Sequence, residues 1–92
     1  MTILKHLDST YQMVFCAFGN ILTQHEYEGL IIFFYDEMSD ENLSMLLKEF
    51  TGYSISIIKN DIPKYYNLDK KLYEDVEIKL NKCGFLNWLN ED

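Results

Sequence analysis

Six consecutive apolar residues, Leu30-Ile31-Ile32-Phe33-Phe34-Tyr35, follow Gly29 near the middle of the chain. No surface element carries such a run, so whatever it forms must be covered on every side. Its shortness and its β-branched and aromatic make-up predict a strand buried on both faces. The chain has the material to cover it: of 92 residues, 48% are hydrophobic and 15% aromatic. That is well above the content of disordered chains and enough for one core, not two. One compact domain over residues 1–92 is therefore expected.

The flanking segments supply further elements. Leu4, Leu7, Tyr11, Val14, Phe18 and Ile21 recur in steps of three and four, with Phe15 and Leu22 widening the stripe. This predicts an amphipathic helix opened by the capping-box pattern Ser9-Thr10-Tyr11-Gln12 and ending before Glu28-Gly29. Residues 2–7 then form an extra turn or a short strand, and the β-formers of Met13–Phe18 keep a strand open as an alternative there. Past the apolar run, Leu43, Leu46, Leu47 and Phe50 form one helical stripe, opened by Ser39 and closed by Gly52. Tyr53-Ser54-Ile55-Ser56-Ile57 alternates strictly and predicts a strand with one wet face. Asn60-Asp61-Ile62-Pro63 reads as a chain break. Asp69 opens a last helix, with Leu68 stapled to Tyr73, a stripe of Leu72, Val76 and Leu80, and a stop at Gly84. On its surface Lys70–Glu74, Lys71–Asp75 and Asp75–Lys79 fall at ion-pair spacing.

The resulting order is α-β-α-β-α, an α+β or small α/β fold with a central right-handed βαβ crossover and a two- to three-stranded sheet. Two strands are too few to stand alone. The third comes from residues 2–7, from Met13–Phe18, or from a homodimer paired through Tyr53–Ile58. In the apolar tail Phe85-Leu86-Asn87-Trp88-Leu89, Trp88 either docks on the core or serves an interface.

Charge restricts the partner. Fifteen Asp and Glu stand against eight Lys, net −7, with no Arg. Phosphate neutralisation dominates nucleic-acid affinity, and Arg is the residue best suited to it, so a direct nucleic-acid binder is disfavoured. A basic protein is the natural electrostatic partner. Lys64-Tyr65-Tyr66 with Lys70-Lys71 has the composition of a base-stacking surface, but surface pairing explains it as well. Cys16 and Cys83 lack C-x-x-C spacing and are too few for a disulfide scaffold, which predicts free thiols. No signal-peptide pattern and no run of 18 apolar residues is present, so a cytoplasmic location without membrane insertion is expected.

Candidate chemistry gathers at Phe33-Phe34-Tyr35-Asp36-Glu37-Met38-Ser39-Asp40-Glu41-Asn42. Asp40 and Glu41 suit the first turn of a helix capped by Ser39. Asp36 and Glu37 have no such role. At the carboxyl end of a strand they would lie where α/β sheets place ligands, and with Asp61 they could hold Mg²⁺. Against a metal enzyme, there is no Gly-rich phosphate loop and no cofactor motif. His25-Glu26-Tyr27-Glu28 is half of a zinc motif lacking its second His, and His6, His25, Cys16 and Cys83 show no ligand spacing. The profile fits instead a small acidic protein without cofactor that neutralises a basic partner. Immunity proteins of nuclease toxins and phage-type inhibitors of DNA-handling enzymes have this character. Tyr35, Asp36, Glu37, Asp40, Glu41 and Asp61 are the expected contact residues. A Mg²⁺ enzyme at Asp36 and Glu37, and a structural or oligomeric component, are the alternatives.

Overall fold

The computed structural model describes residues 5–90, and among them there is no strand. Six helices are present: α1 (Lys5–Phe18), α2 (Gln24–Phe34), α3 (Asp40–Thr51), α4 (Ile55–Tyr65), α5 (Glu74–Lys82) and α6 (Phe85–Leu89), with a 3₁₀ turn over Lys70–Tyr73 before α5. The α+β expectation, with its crossover and sheet, is thereby overturned, and so is a dimer paired through strand Tyr53–Ile58.

The apolar run is where the reading and the fold part. Leu30–Phe34 form the second half of α2, and Gly29 through Phe34 are all buried. A helix that is apolar all round is a core helix, and periodicity cannot separate it from a buried strand. What separates them lies upstream. The Thr23 hydroxyl accepts from the Glu26 amide at 3.1 Å, and the Glu26 carboxylate accepts from the Thr23 amide at 3.0 Å. This capping box starts a helix at Gln24 and carries the apolar run into it.

The second expected strand fails for a similar reason. Ser54 caps α4 by accepting from the Ile57 amide at 3.2 Å. The buried residues are then Ile58 and Ile62, one turn apart, while Ile57 is half exposed. The alternation of Tyr53, Ile55 and Ile57 is incidental. Pro63 does not break the chain: it sits in the last turn of α4, where the missing N–H removes a single bond.

Other expectations hold for α3 and Trp88 and only in part for α1 and the last helix. α3 is capped by Ser39, closes on Gly52 at φ 76°, and buries Leu43, Leu46, Leu47 and Phe50. α1 is helical as expected, but it is already helical at Lys5, upstream of Ser9, and ends at Phe18, so residues 19–23 connect rather than continue it. Residues 1–4, part of the expected extra turn or strand, lie outside the described residues. Asp69 caps the 3₁₀ turn through the Lys71 amide at 3.0 Å, and α5 follows. Tyr73 takes the buried place expected of Leu72, which is exposed. Trp88 is core: it is buried and its indole N–H donates to Thr10 Oγ1 at 2.7 Å.

α2 lies at the centre, packed by α3, α4, the 3₁₀ turn and α5, while α1 closes over α3, α5 and α6. The α2–α5 crossing is tight. A Cβ on Gly29 would lie 2.8 Å from Val76 Cγ2, so only glycine lets the helices approach this closely. A Cys16–Cys83 disulfide ties α1 to the end of α5 across 67 residues, with Cα atoms 6.0 Å apart. The expected free thiols are therefore corrected: the fold brings together two cysteines that no local spacing relates. Closing a loop of that size is worth about 4 kcal/mol in the chain-entropy account.

Two stability outcomes follow from the packing. Gly29→Ala gains about 1 kcal/mol of helix propensity but overpacks against a stiff β-branched neighbour at a cost of ~1–3 kcal/mol, so urea denaturation should show a net loss. Combined with Val76→Ala, the total loss should fall below the sum of the single losses by at least about 0.5 kcal/mol. Ser44 is fully buried with its hydroxyl unpartnered, so Ser44→Ala should raise stability by about 1 kcal/mol.

Candidate functional site

α2 ends at Phe34, and Tyr35 caps it while Asp36 and Glu37 follow in the turn. Aligned peptide dipoles leave partial negative charge at a helix C-terminus, so two carboxylates there are locally unfavourable. Tyr35 packs on Tyr66, with ring centroids 4.5 Å apart. Tyr66 caps the C-terminus of α4, so a second helix C-terminus points toward the same corner. Three residues on, the sign reverses: Ser39 caps α3, and Asp40 and Glu41 occupy its first turn, where the dipole favours them. The helix start thus explains Asp40 and Glu41 and leaves Asp36 and Glu37 unexplained.

Ion pairing divides these acids further. Glu41 accepts from Lys59 Nζ on α4 at 2.6 Å. Asp36, Glu37 and Asp40 are exposed and take part in no ion pair among the described residues. Asp61 differs again. Lys59 faces Glu41, whereas Asp61, two residues on, faces inward and accepts from the Tyr27 hydroxyl at 2.8 Å, with Lys64 Nζ 3.7 Å away. Tyr35, Asp36, Glu37, Asp40 and Glu41 therefore share one corner, and Asp61 belongs to the interior beside Tyr27. Among the described residues no three His, Cys, Asp or Glu side chains converge as a metal-holding group. The structure accordingly does not assemble Asp36, Glu37 and Asp61 into the Mg²⁺ site they suggested in the sequence.

The acidic corner continues into a groove that sequence reasoning missed. Leu7 and Tyr11 of α1, Met45 of α3 and Ile55 of α4 line a space of about 440 Å³, with Glu41, Lys48 and Glu49 at its edge. Glu41, Met45, Lys48 and Glu49 form one stripe of α3, so the groove and the acidic turn meet at Glu41. The sequence places Tyr66 in a basic stacking patch with Lys64 and Tyr65, but it packs on Tyr35, while Tyr65 turns edge-on to Tyr27, with centroids 6.4 Å apart.

The remaining motifs are structural. His25 stacks on Tyr73 at 4.6 Å and pairs with Asp75 at 2.9 Å; Glu26 caps α2 and meets Lys79 at 3.3 Å. The Asp75–Lys79 and Lys71–Asp75 pairs expected along the last helix are thus replaced by pairs across helices, and Lys70 lies over the Phe33 ring. Glu28 accepts from the Tyr73 hydroxyl at 2.6 Å. No family model matches the chain, and no curated protein or solved structure matches it either.

Burial, followed by the bond to Asp61, pushes the Tyr27 phenol far above its ordinary range, and burial with the Glu28 bond raises Tyr73 to about 12. Both hydroxyls hold protons in the fold that the unfolded chain releases near pH ~10. Stability contributed this way is complete below about pH 10 and is lost as pH rises toward 12 and beyond. Unfolding free energy should therefore be flat through mild alkali and then fall. Tyr27→Phe should flatten that fall while lowering stability at neutral pH by about 1–3 kcal/mol, because Asp61 loses its donor.

Proposed function

We propose that the protein is a small acidic binding protein that neutralises a basic protein partner, with the turn between α2 and α3 as its contact surface. The observation that carries this reading is the state of Asp36, Glu37 and Asp40: exposed, without an ion pair among the described residues, and two of them placed where the α2 dipole opposes them. Folding gains nothing from those two charges. A cationic partner does, because like charges at the mouth of a surface speed encounter and favour a complementary patch. Tyr35 and Tyr66 beside them provide the aromatic area typical of interface hot spots, and the groove on α3 offers an apolar centre.

Partners that suit this chemistry have a cationic substrate site to be occluded, such as a nuclease toxin domain or a DNA-handling enzyme. In that reading carboxylates stand where phosphates would bind. No helix among the described residues is long and apolar enough to cross a membrane. A cytoplasmic site of action is part of the proposal. The disulfide is the one feature that favours an oxidising compartment, since such bonds rarely persist among cytosolic thiols.

Affinity capture from the native host at low and moderate salt, with the retained protein identified and purified, provides the test. Association with that protein should slow at least about tenfold between 0.05 and 0.3 M salt, with dissociation little changed. Neutralising the corner as Asp36→Asn, Glu37→Gln and Asp40→Asn should remove most of the salt dependence. An unchanged association rate in that variant would show that the surface lies elsewhere.

A further inference from the structure

We propose that the Cys16–Cys83 disulfide is a thiol–disulfide exchange site for low-molecular-weight thiols, and that its reduction releases α6. The bond is accessible. It lies in a shallow depression of about 430 Å³ bordered by Asp8, Gln12, Gly84 and Trp88, and Cys16 is exposed. Immediately after it comes a joint: Gly84 adopts φ 95°, and nothing lies within 4 Å of where its Cβ would be. This is left-handed backbone with open space at the Cβ position, and its own hydrogen bonds are local ones, Gly84 N–H to Asn81 O at 3.4 Å and Trp88 N–H to Gly84 O at 2.9 Å.

Beyond the joint, α6 has five residues, too few to be stable as a helix without docking. Its docking rests on Phe85 and Trp88, whose rings lie 5.9 and 5.1 Å from that of Phe34, and on the Trp88–Thr10 hydrogen bond. Thr10 and Cys16 both belong to α1. The disulfide and the hydrogen bond therefore tie the same helix to the two sides of the Gly84 joint. Packing of α1 on α5 and of α5 on α2 exists apart from the sulfurs, through contacts that include Val76 against Gly29. Reduction thus frees α6 and uncovers Phe33 and Phe34 while the rest of the fold stays in place.

The exchange proceeds in two steps. An external thiolate attacks Sγ of Cys16, the more exposed residue of the two; the S–S electron pair leaves on Cys83, which takes a proton. A second thiol then attacks the mixed disulfide, freeing the Cys16 thiol and forming the external disulfide. Two electrons and two protons pass from two thiols to the cysteine pair.

Trp88 is the sole tryptophan, so its emission reports the position of α6. The oxidised protein is equilibrated with a series of reduced and oxidised glutathione mixtures, and free thiols are counted by alkylation and mass. As two thiols appear, Trp88 emission should shift to the red and acrylamide quenching should rise at least about twofold, with far-UV circular dichroism losing no more than one short helix. Cys16→Ser should show the same emission without reductant. Thr10→Val, with the disulfide intact, should shift it less. Unchanged Trp88 emission in the fully reduced protein would overturn the proposal, leaving the bond as a passive brace. Loss of the whole helical signal on reduction would overturn it too, since the bond would then hold the entire fold. Failure of the air-oxidised protein to form the bond would remove the site altogether.

Discussion

Everything in this fold answers to one demand, that α2 be covered on all sides. An amphipathic helix needs a neighbour along one stripe; α2, buried from Gly29 to Phe34, needs neighbours around its whole circumference. The chain provides them with short elements from both directions, α3 and α4 after the acidic turn and the 3₁₀ turn with α5 near the end. Covering a helix so completely leaves little room for backbone separation, and the absence of a side chain on Gly29 is what lets α5 come into contact through Val76. Where α2 does carry polar atoms, at Tyr27 and Glu28, each meets a partner from a distant element, Asp61 and Tyr73. Such bonds add modest net stability but carry a large cost if broken, and so they fix which neighbour sits where.

The excess of negative charge is not spread uniformly in its role. Asp61, Glu28, Glu26, Asp75 and Glu41 each have a hydroxyl, imidazole or ammonium partner. Asp36, Glu37 and Asp40 do not, and they are the acids at the exposed turn. Asp8, Glu49, Glu74 and Glu77 are likewise exposed and outside any ion pair among the described residues, yet solubility alone gives no reason to set the adjacent pair Asp36 and Glu37 just past a helix C-terminus. The proposed binding role supplies that reason, and the cost of holding Asp36 and Glu37 there is the sort of local penalty that functional surfaces carry.

Part of this was legible from residues alone. α3 was readable because its cap, stripe and stop, Ser39, Leu43 to Phe50 and Gly52, agree with one another. α2 was not, because a fully buried run has no period, and the deciding signal, Thr23 with Glu26, lies outside the run. α4 presented two conflicting patterns. The Tyr53–Ile57 alternation pointed one way, Ser54 with Ile58 and Ile62 the other, and only packing decides between them. At the site, Asp36 to Glu41 are neighbours in sequence and could be seen together. Tyr66 joins them, and Asp61 turns away, only through contacts across helices. The Cys16–Cys83 bond spans 67 residues and has no local signature.

The strand-like character of Leu30–Tyr35 has a consequence of its own. α2 gains its helical stability from neighbours rather than from propensity, so before they assemble the segment is an uncharged, β-prone stretch open to other chains. In the folded protein it is out of reach. During synthesis, refolding or partial unfolding it is the stretch on which chains would aggregate, and the charged residues near it, Glu26 and Glu28 on one side and Asp36 and Glu37 on the other, stand where gatekeepers against such pairing are placed. Asp36 and Glu37, which face outward in the native state, thus also guard the chain while it is still finding that state.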